Sequence, residues 1–123
     1  HFLGSRTHDE VAWAMQHTDV FALCSTYEGL SHVLIEAQHL GLPTVATDVG
    51  GNPEVITHKK NGLLVATNDT MMLAKSLNLI LGDAEVSAFM RENALTNADR
   101  FSKDVMIEKT LRTLLSEYAR STH

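Results

Sequence analysis

The stretch from Val20 to Pro43 sets the tightest limit on what this chain can form. An apolar run, Val20-Phe21-Ala22-Leu23-Cys24, leads into the polar segment Ser25-Thr26-Tyr27-Glu28-Gly29-Leu30, and a helical pattern then runs from about Ser31 to Gly41. An unbroken apolar run suits a strand covered on both faces of a sheet. Leu30, Val33, Leu34, Ala37 and Leu40 share one stripe of the helix, and Gly41 suits a left-handed turn after its last residue. A strand that feeds a helix through a glycine-containing loop is an anion site in waiting, because the first amides of a helix have no internal partner. Two carboxylates, Glu28 at the mouth of the loop and Glu36 inside the helix, flank that site.

The neighbouring segments repeat the strand-then-helix order. Phe2-Leu3-Gly4 reads as the end of a strand. Thr7-His8-Asp9-Glu10 has capping-box spacing and opens a short helix. Pro43 to Thr47 reads as a strand that opens into Asp48-Val49-Gly50-Gly51-Asn52-Pro53-Glu54, a tight loop with a helical turn after it. Asn61-Gly62 is a turn and Leu63-Leu64-Val65 a short strand. Asn68 or Asp69 caps a helix carrying Met71, Met72, Leu73, Leu77, Ile80 and Leu81, which Gly82 stops. Another helix, from about Ala84 to Asp99, turns Val86, Phe89, Met90 and Ala94 inward. Ser102 caps a last one striped by Ile107, Leu111, Leu114, Leu115 and Tyr118. Short strands alternating with helices make an α/β fold, with a parallel sheet and helices on both faces. Such sheets take ligands outside the carboxyl ends of their strands, where loops 25–31 and 48–53 both lie. Three strands are few for such a sheet, and the chain begins His-Phe-Leu-Gly without an initiator methionine. Both features lead us to expect a piece of a longer protein, with N-terminal strands truncated.

Charge narrows the function. The net charge is -5, and from His1 to His58 the only Lys or Arg is Arg6, against seven acids. No clustered basic face is available for phosphate backbones, which argues against nucleic-acid binding. The same scarcity leaves this half of the chain poorly equipped to neutralise a diphosphate alone. The single cysteine, Cys24, is expected to be a small core residue and closes no internal disulfide, so the cytoplasm is the default compartment. His8, His17, His39, His58 and His123 lack metal-ligand spacing, and neither a P-loop nor a GxGxxG pattern occurs.

If residues 28 to 36 were all helical, Glu28 and Glu36 would lie roughly 12 Å apart. That is about the span of a diphosphate between a ribose and a sugar. Glu36 would then accept from ribose hydroxyls and Glu28 from the sugar, with the amides of Gly29, Leu30, Ser31 and His32 on the phosphates between. Spacing alone favours a plain arrangement, with Glu28 at the positive helix end and Glu36 a solvated surface residue. His32 is a phosphate donor or a surface histidine. Ser25 and Ser31 are caps or ligand donors, and Gly50-Gly51 either admits a ligand close to the backbone or makes a tight turn.

Ser25-x-x-Glu28-Gly29-Leu30-Ser31-His32-Val33-Leu34-Ile35-Glu36-Ala37 is followed by Gly41-x-Pro43-x-Val45-Ala46-Thr47-Asp48-x-Gly50-Gly51-x-x-Glu54-Val55-Ile56 and Asn61-Gly62-Leu63-Leu64-Val65. This succession resembles the donor-binding domain of group 1 glycosyltransferases, the retaining enzymes of glycosyltransferase family four, and covers most of the chain. The resemblance implies a Rossmann-like sheet forming the C-terminal half of a GT-B fold, with residues 1–123 as a single partial nucleotide-sugar-binding domain. It implies a retaining hexosyltransferase of polysaccharide biosynthesis, inactive as this piece alone, with Glu36 on the nucleotide ribose and Glu28, the catalytic candidate, by the donor sugar. The 29–32 amides meet the diphosphate, and Ser25, Gly50 and Gly51 complete the loop region. The family's diphosphate-clamping Arg and Lys lie upstream of the Phe-Leu-Gly strand. The glycan or lipid-linked acceptor binds largely in an N-terminal domain absent from these residues; the final helix stripe would either pack partly against that domain or close its own core. No Asp-x-Asp occurs, so no cofactor or metal is expected; a full-length enzyme would be cytoplasmic, associated peripherally with the inner face of the membrane. Two rivals remain: a sugar-nucleotide epimerase of related architecture, and a non-catalytic α/β binding module.

Overall fold

Val45 and Ala46, adjacent and fully buried, pack into different hydrophobic clusters on opposite faces of one sheet. The computed structural model describes residues 4, 7–27, 29–101 and 103–121. The expected strand end at Phe2-Leu3, Glu28 and the Ser102 cap lie outside the described residues. Within them, three parallel strands, β1 (Phe21–Leu23), β2 (Thr44–Thr47) and β3 (Leu63–Val65), form a sheet in the order β1-β2-β3. The register aligns Ala22 with Val45 and Val45 with Leu63, so side chains alternate between two covered faces.

On one face, Leu23, Ala46 and Leu64 meet Leu34 and Ile35 of α2 (His32–His39), Val55 of α3 (Asn52–Val55), Ile56, and Phe101 of a 3-10 turn (Asp99–Phe101). On the other, Val45, Leu63 and Val65 meet Leu73, Leu77 and Ile80 of α4 (Thr70–Gly82) and Val86 and Met90 of α5 (Ala84–Ala98). Met15 of α1 (His8–Gln16) packs on Ala37 and Leu42. The expected α/β architecture is therefore present, with α2 and α3 as the crossovers between parallel strands.

Local chemistry sets the helix ends. Thr7 Oγ1 accepts from the Glu10 amide at 3.2 Å, and Asp69 rather than Asn68 caps α4, accepting from the Met72 amide at 3.0 Å. After α2, the amide of Gly41 donates to Gln38 O and that of Leu42 to Ala37 O, the paired bonds of a Schellman motif. Gly41 takes φ +65, and a Cβ there would stand 3.0 Å from Leu95 Cγ of α5.

Several burial expectations are corrected. The strand read from Asp19 to Cys24 is only Phe21–Leu23, and Cys24 is exposed. Among the described residues β1 pairs with β2 alone, and Ala22, which shares the alternation of Cys24, is exposed as well. Leu30 and Leu40 are exposed, while Ile35 and Gln38 take the buried side of α2. Met71, Met72 and Leu81 of α4 and Phe89 of α5 also face outward, because each helix buries a narrower stripe than its apolar content suggests. On α6 (Lys103–Ser121), Leu111, Leu114, Leu115 and Tyr118 are all exposed.

Candidate functional site

Strands β1 and β2 end side by side, and the loops that leave them are stitched together by backbone-directed bonds. Thr47 Oγ1, at the end of β2, donates to Ser25 O at 2.6 Å. Asn52 Nδ2 in turn donates to Thr47 O at 2.9 Å. Asn52 is fully buried, and its Oδ1 has no partner among the described residues, a cost of about 1–3 kcal/mol carried at the start of α3.

In the glycine pair one residue makes the turn and the other permits a contact between loops. Gly50 takes φ +51 and makes the turn. Gly51 has ordinary φ, and its hydrogen is needed for another reason: a Cβ there would sit 2.6 Å from Gly29 O and 2.9 Å from Leu30 Cα. The close approach is therefore backbone to backbone, loop 48–51 against loop 25–31. Gly29 itself has open space where a Cβ would be.

Loop 25–31 delivers the chain to α2. Ser31 is buried at the cap position, and its Oγ accepts from the Leu34 amide at 3.2 Å. The Ile35 amide donates to Ser31 O at 3.2 Å, the first turn-closing bond. The amides just before these, on Ser31, His32 and Val33, are the ones a helix start leaves without internal partners. The His32 side chain is exposed beside them. Glu36 lies one turn further along, half-buried. The premise of an unbroken helix from 28 to 36 does not hold: α2 begins at His32, and residues 29–31 are loop. The span between the two acids involves Glu28 and so falls outside the described residues. Ser25, Gly29, Leu30, Ser31, His32, Gly50 and Gly51 are thus gathered at one edge of the sheet, with Glu36 on the helix they lead into.

What sequence reasoning missed lies beneath α2. Gln38 is completely buried, and its Oε1 accepts from Asn61 Nδ2 at 2.8 Å and Asn97 Nδ2 at 3.3 Å. Asn61 also donates to Val55 O and accepts from the Thr57 amide at 2.7 Å; Asn97 donates to Val55 O at 2.9 Å. Three side-chain amides therefore tie α2, the turn before β3 and α5 together. The sequence marks Asn61 as half of an Asn-Gly turn and as part of the Asn-Gly-Leu-Leu-Val segment, and neither signals its burial.

With that geometry in place, comparison with known proteins decides the family. The sequence model described as "Glycosyl transferases group 1" matches residues 1–96. The chain belongs to the group 1 glycosyltransferases. The D-inositol 3-phosphate glycosyltransferase of Jonesia denitrificans is 36% identical over 107 residues, which are 87% of this chain and 24% of that protein. The N-acetyl-alpha-D-glucosaminyl L-malate synthase of Bacillus anthracis is 39% identical over 93 residues, 76% of this chain and 24% of that one. Among solved structures, Anabaena HepE in complex with UDP-glucose superposes with a TM-score of 0.82 at 30% identity, over 94% of this chain and 32% of that one. This group 1 chain thus has the α/β architecture of GT-B glycosyltransferases, and it spans about a quarter of the length of the curated relatives it matches.

Proposed function

We propose that this chain is the C-terminal, nucleotide-sugar-binding part of a retaining glycosyltransferase that moves a hexosyl group from a nucleoside-diphosphate donor to a carbohydrate or lipid-linked acceptor. The observation that carries the reading is the meeting of loops 25–31 and 48–51 at the capped start of α2, with Glu36 one turn inside the helix. A diphosphate seated there meets the outward amides of the first turn and the positive end of the helix. Glu36 accepts hydrogen bonds from the ribose hydroxyls, and Glu28 stands by the transferred sugar. HepE, which superposes on this chain, was solved with UDP-glucose, and that favours a nucleotide sugar over other phosphate ligands.

In this reading the departing diphosphate is stabilised by prearranged amides, together with Arg and Lys supplied from an earlier part of the domain. No metal is needed, and the acceptor arrives from an N-terminal domain, attacking the face that the diphosphate leaves. Full-length enzyme is cytoplasmic and meets membrane-bound acceptors at the inner face.

Two variants of the full-length enzyme test the division of labour. Glu36→Ala should raise the dissociation constant for nucleoside diphosphate about tenfold, the loss of roughly 1.4 kcal/mol of hydroxyl contacts. Glu28→Ala should lower the transfer rate with little change in that constant. Equal effects on affinity would refute the assignment. The anomeric proton coupling of the product reports retention, and a product of inverted configuration would overturn that part.

A further inference from the structure

Away from the donor loops, a second concave surface lies between the turn that precedes β3 and the outer side of α5. It encloses about 340 Å³ and is lined by Thr57, Lys60, Asn61, Asn93, Thr96, Asn97 and Arg100. That volume is at the lower end of the range for small-molecule sites. None of residues 25–36 or 48–51 contributes to it.

The chemistry of the lining is one-sided. Asn93, Thr96, Asn97 and Arg100 recur at the spacing of a single helical stripe, while Glu92 and Asp99, the nearest acids on α5 and the 3-10 turn, do not line the cavity. Two cations and five amide or hydroxyl side chains therefore face one space without a carboxylate. Arg100 is held in place, donating from Nη2 to Glu54 O at 3.0 Å with its guanidinium 5.0 Å from the Phe101 ring centre. The floor is rigid as well, since Asn61 and Asn97 are fixed by Gln38 and Val55 O. A fixed guanidinium and an exposed ammonium on one lining suit a phosphate or sulfate-like group. Asn93 and Thr96 give their donors to Phe89 O and Glu92 O of their own helix, and Asn61 and Asn97 give theirs to Gln38 and Val55 O. The carbonyl oxygens of Asn93 and Asn97 and the Thr57 hydroxyl are therefore the groups that can accept from a body rich in hydroxyl groups.

We propose that this cavity binds a small phosphorylated polyol of the sugar-phosphate class. The site is separate from the donor loops, and its floor is the amide cluster that fixes α2. Titration of the 123-residue chain with glucose 6-phosphate, inorganic phosphate and glucose, followed by NMR, tests it. The side-chain NH2 signals of Asn93 and Asn97 and the amides of Thr57 and Asn61 should shift saturably with glucose 6-phosphate, with a dissociation constant near about 1 mM. Lys60→Gln, at an exposed position, and Arg100→Gln should each weaken binding roughly tenfold, with unrelated signals unchanged to show that the fold persists. Binding of inorganic phosphate as tight as that of the sugar phosphate would overturn the polyol assignment. Shifts that never saturate, or that survive both substitutions, would overturn the site. A response confined to residues 29–36 would overturn it too, while supporting the donor site.

Discussion

Replacing Gly51 by alanine puts one methyl group into the contact between the two donor loops. The added Cβ would meet Gly29 O at 2.6 Å, Leu30 Cα at 2.9 Å and Gly29 C at 3.0 Å, all backbone atoms, so no side chain can rotate away. Restoring ordinary contact requires one loop to retreat by about 0.8 Å. Overpacking of this kind costs about 1–3 kcal/mol of stability. The larger consequence is functional, because the displaced segment leads directly into the first amides of α2. A misplacement near 1 Å is enough to cost on the order of 100-fold in transfer rate in the full-length enzyme. Loss of one charge-assisted amide bond should weaken nucleoside diphosphate binding about tenfold or more. Thermal melting, product formation by the full-length enzyme and isothermal titration measure the three effects in turn. Gly29→Ala is the stability control, since its Cβ points into open space and should leave the melting temperature nearly unchanged. A Gly51→Ala protein that melts and binds nucleoside diphosphate like the parent would refute the loop-contact argument.

Ser31→Ala removes the cap on the Leu34 amide and should cost about 1 kcal/mol in a chemical-denaturation midpoint, with weaker nucleotide binding. Asn61→Ala strips a buried residue that bonds Gln38, Val55 O and the Thr57 amide; about 2–4 kcal/mol should be lost, read as a lower melting temperature. Cys24 should react with a maleimide in the folded 123-residue chain nearly as fast as in denaturant, because its side chain is exposed. Chelation of divalent metals should leave the transfer rate of the full-length enzyme unchanged, as measured by product formation with and without EDTA.

The parts of the fold written locally were legible in the sequence. Thr7, Ser31 and Asp69 announce helix starts because each oxygen bonds an amide within three residues, and Gly41 announces an end because its left-handed φ is a local demand. β2 and β3 were legible from their apolar runs between Pro43 and Thr47 and after Asn61-Gly62. Features that depend on distant partners were not. Gly51 is constrained by Gly29, which lies in another loop, and Gln38 by Asn61 and Asn97, which lie 23 and 59 residues away. Hydrophobic periodicity also assigns polar residues outward, so a buried amide cluster escapes it. Cys24 was placed inside because an apolar run suggests two covered faces, whereas β1 has one neighbouring strand among the described residues. The candidate site was legible as a set of residues on two loops, but the contact between those loops was not.

Titration of this chain with UDP, followed residue by residue in NMR spectra, tests the donor-site reading most directly. The account predicts saturable shifts centred on residues 29–36, extending through Gly51 to Asn52, at millimolar affinity and weakened about tenfold by Glu36→Ala. Saturable shifts centred elsewhere, or none at millimolar UDP, would contradict it.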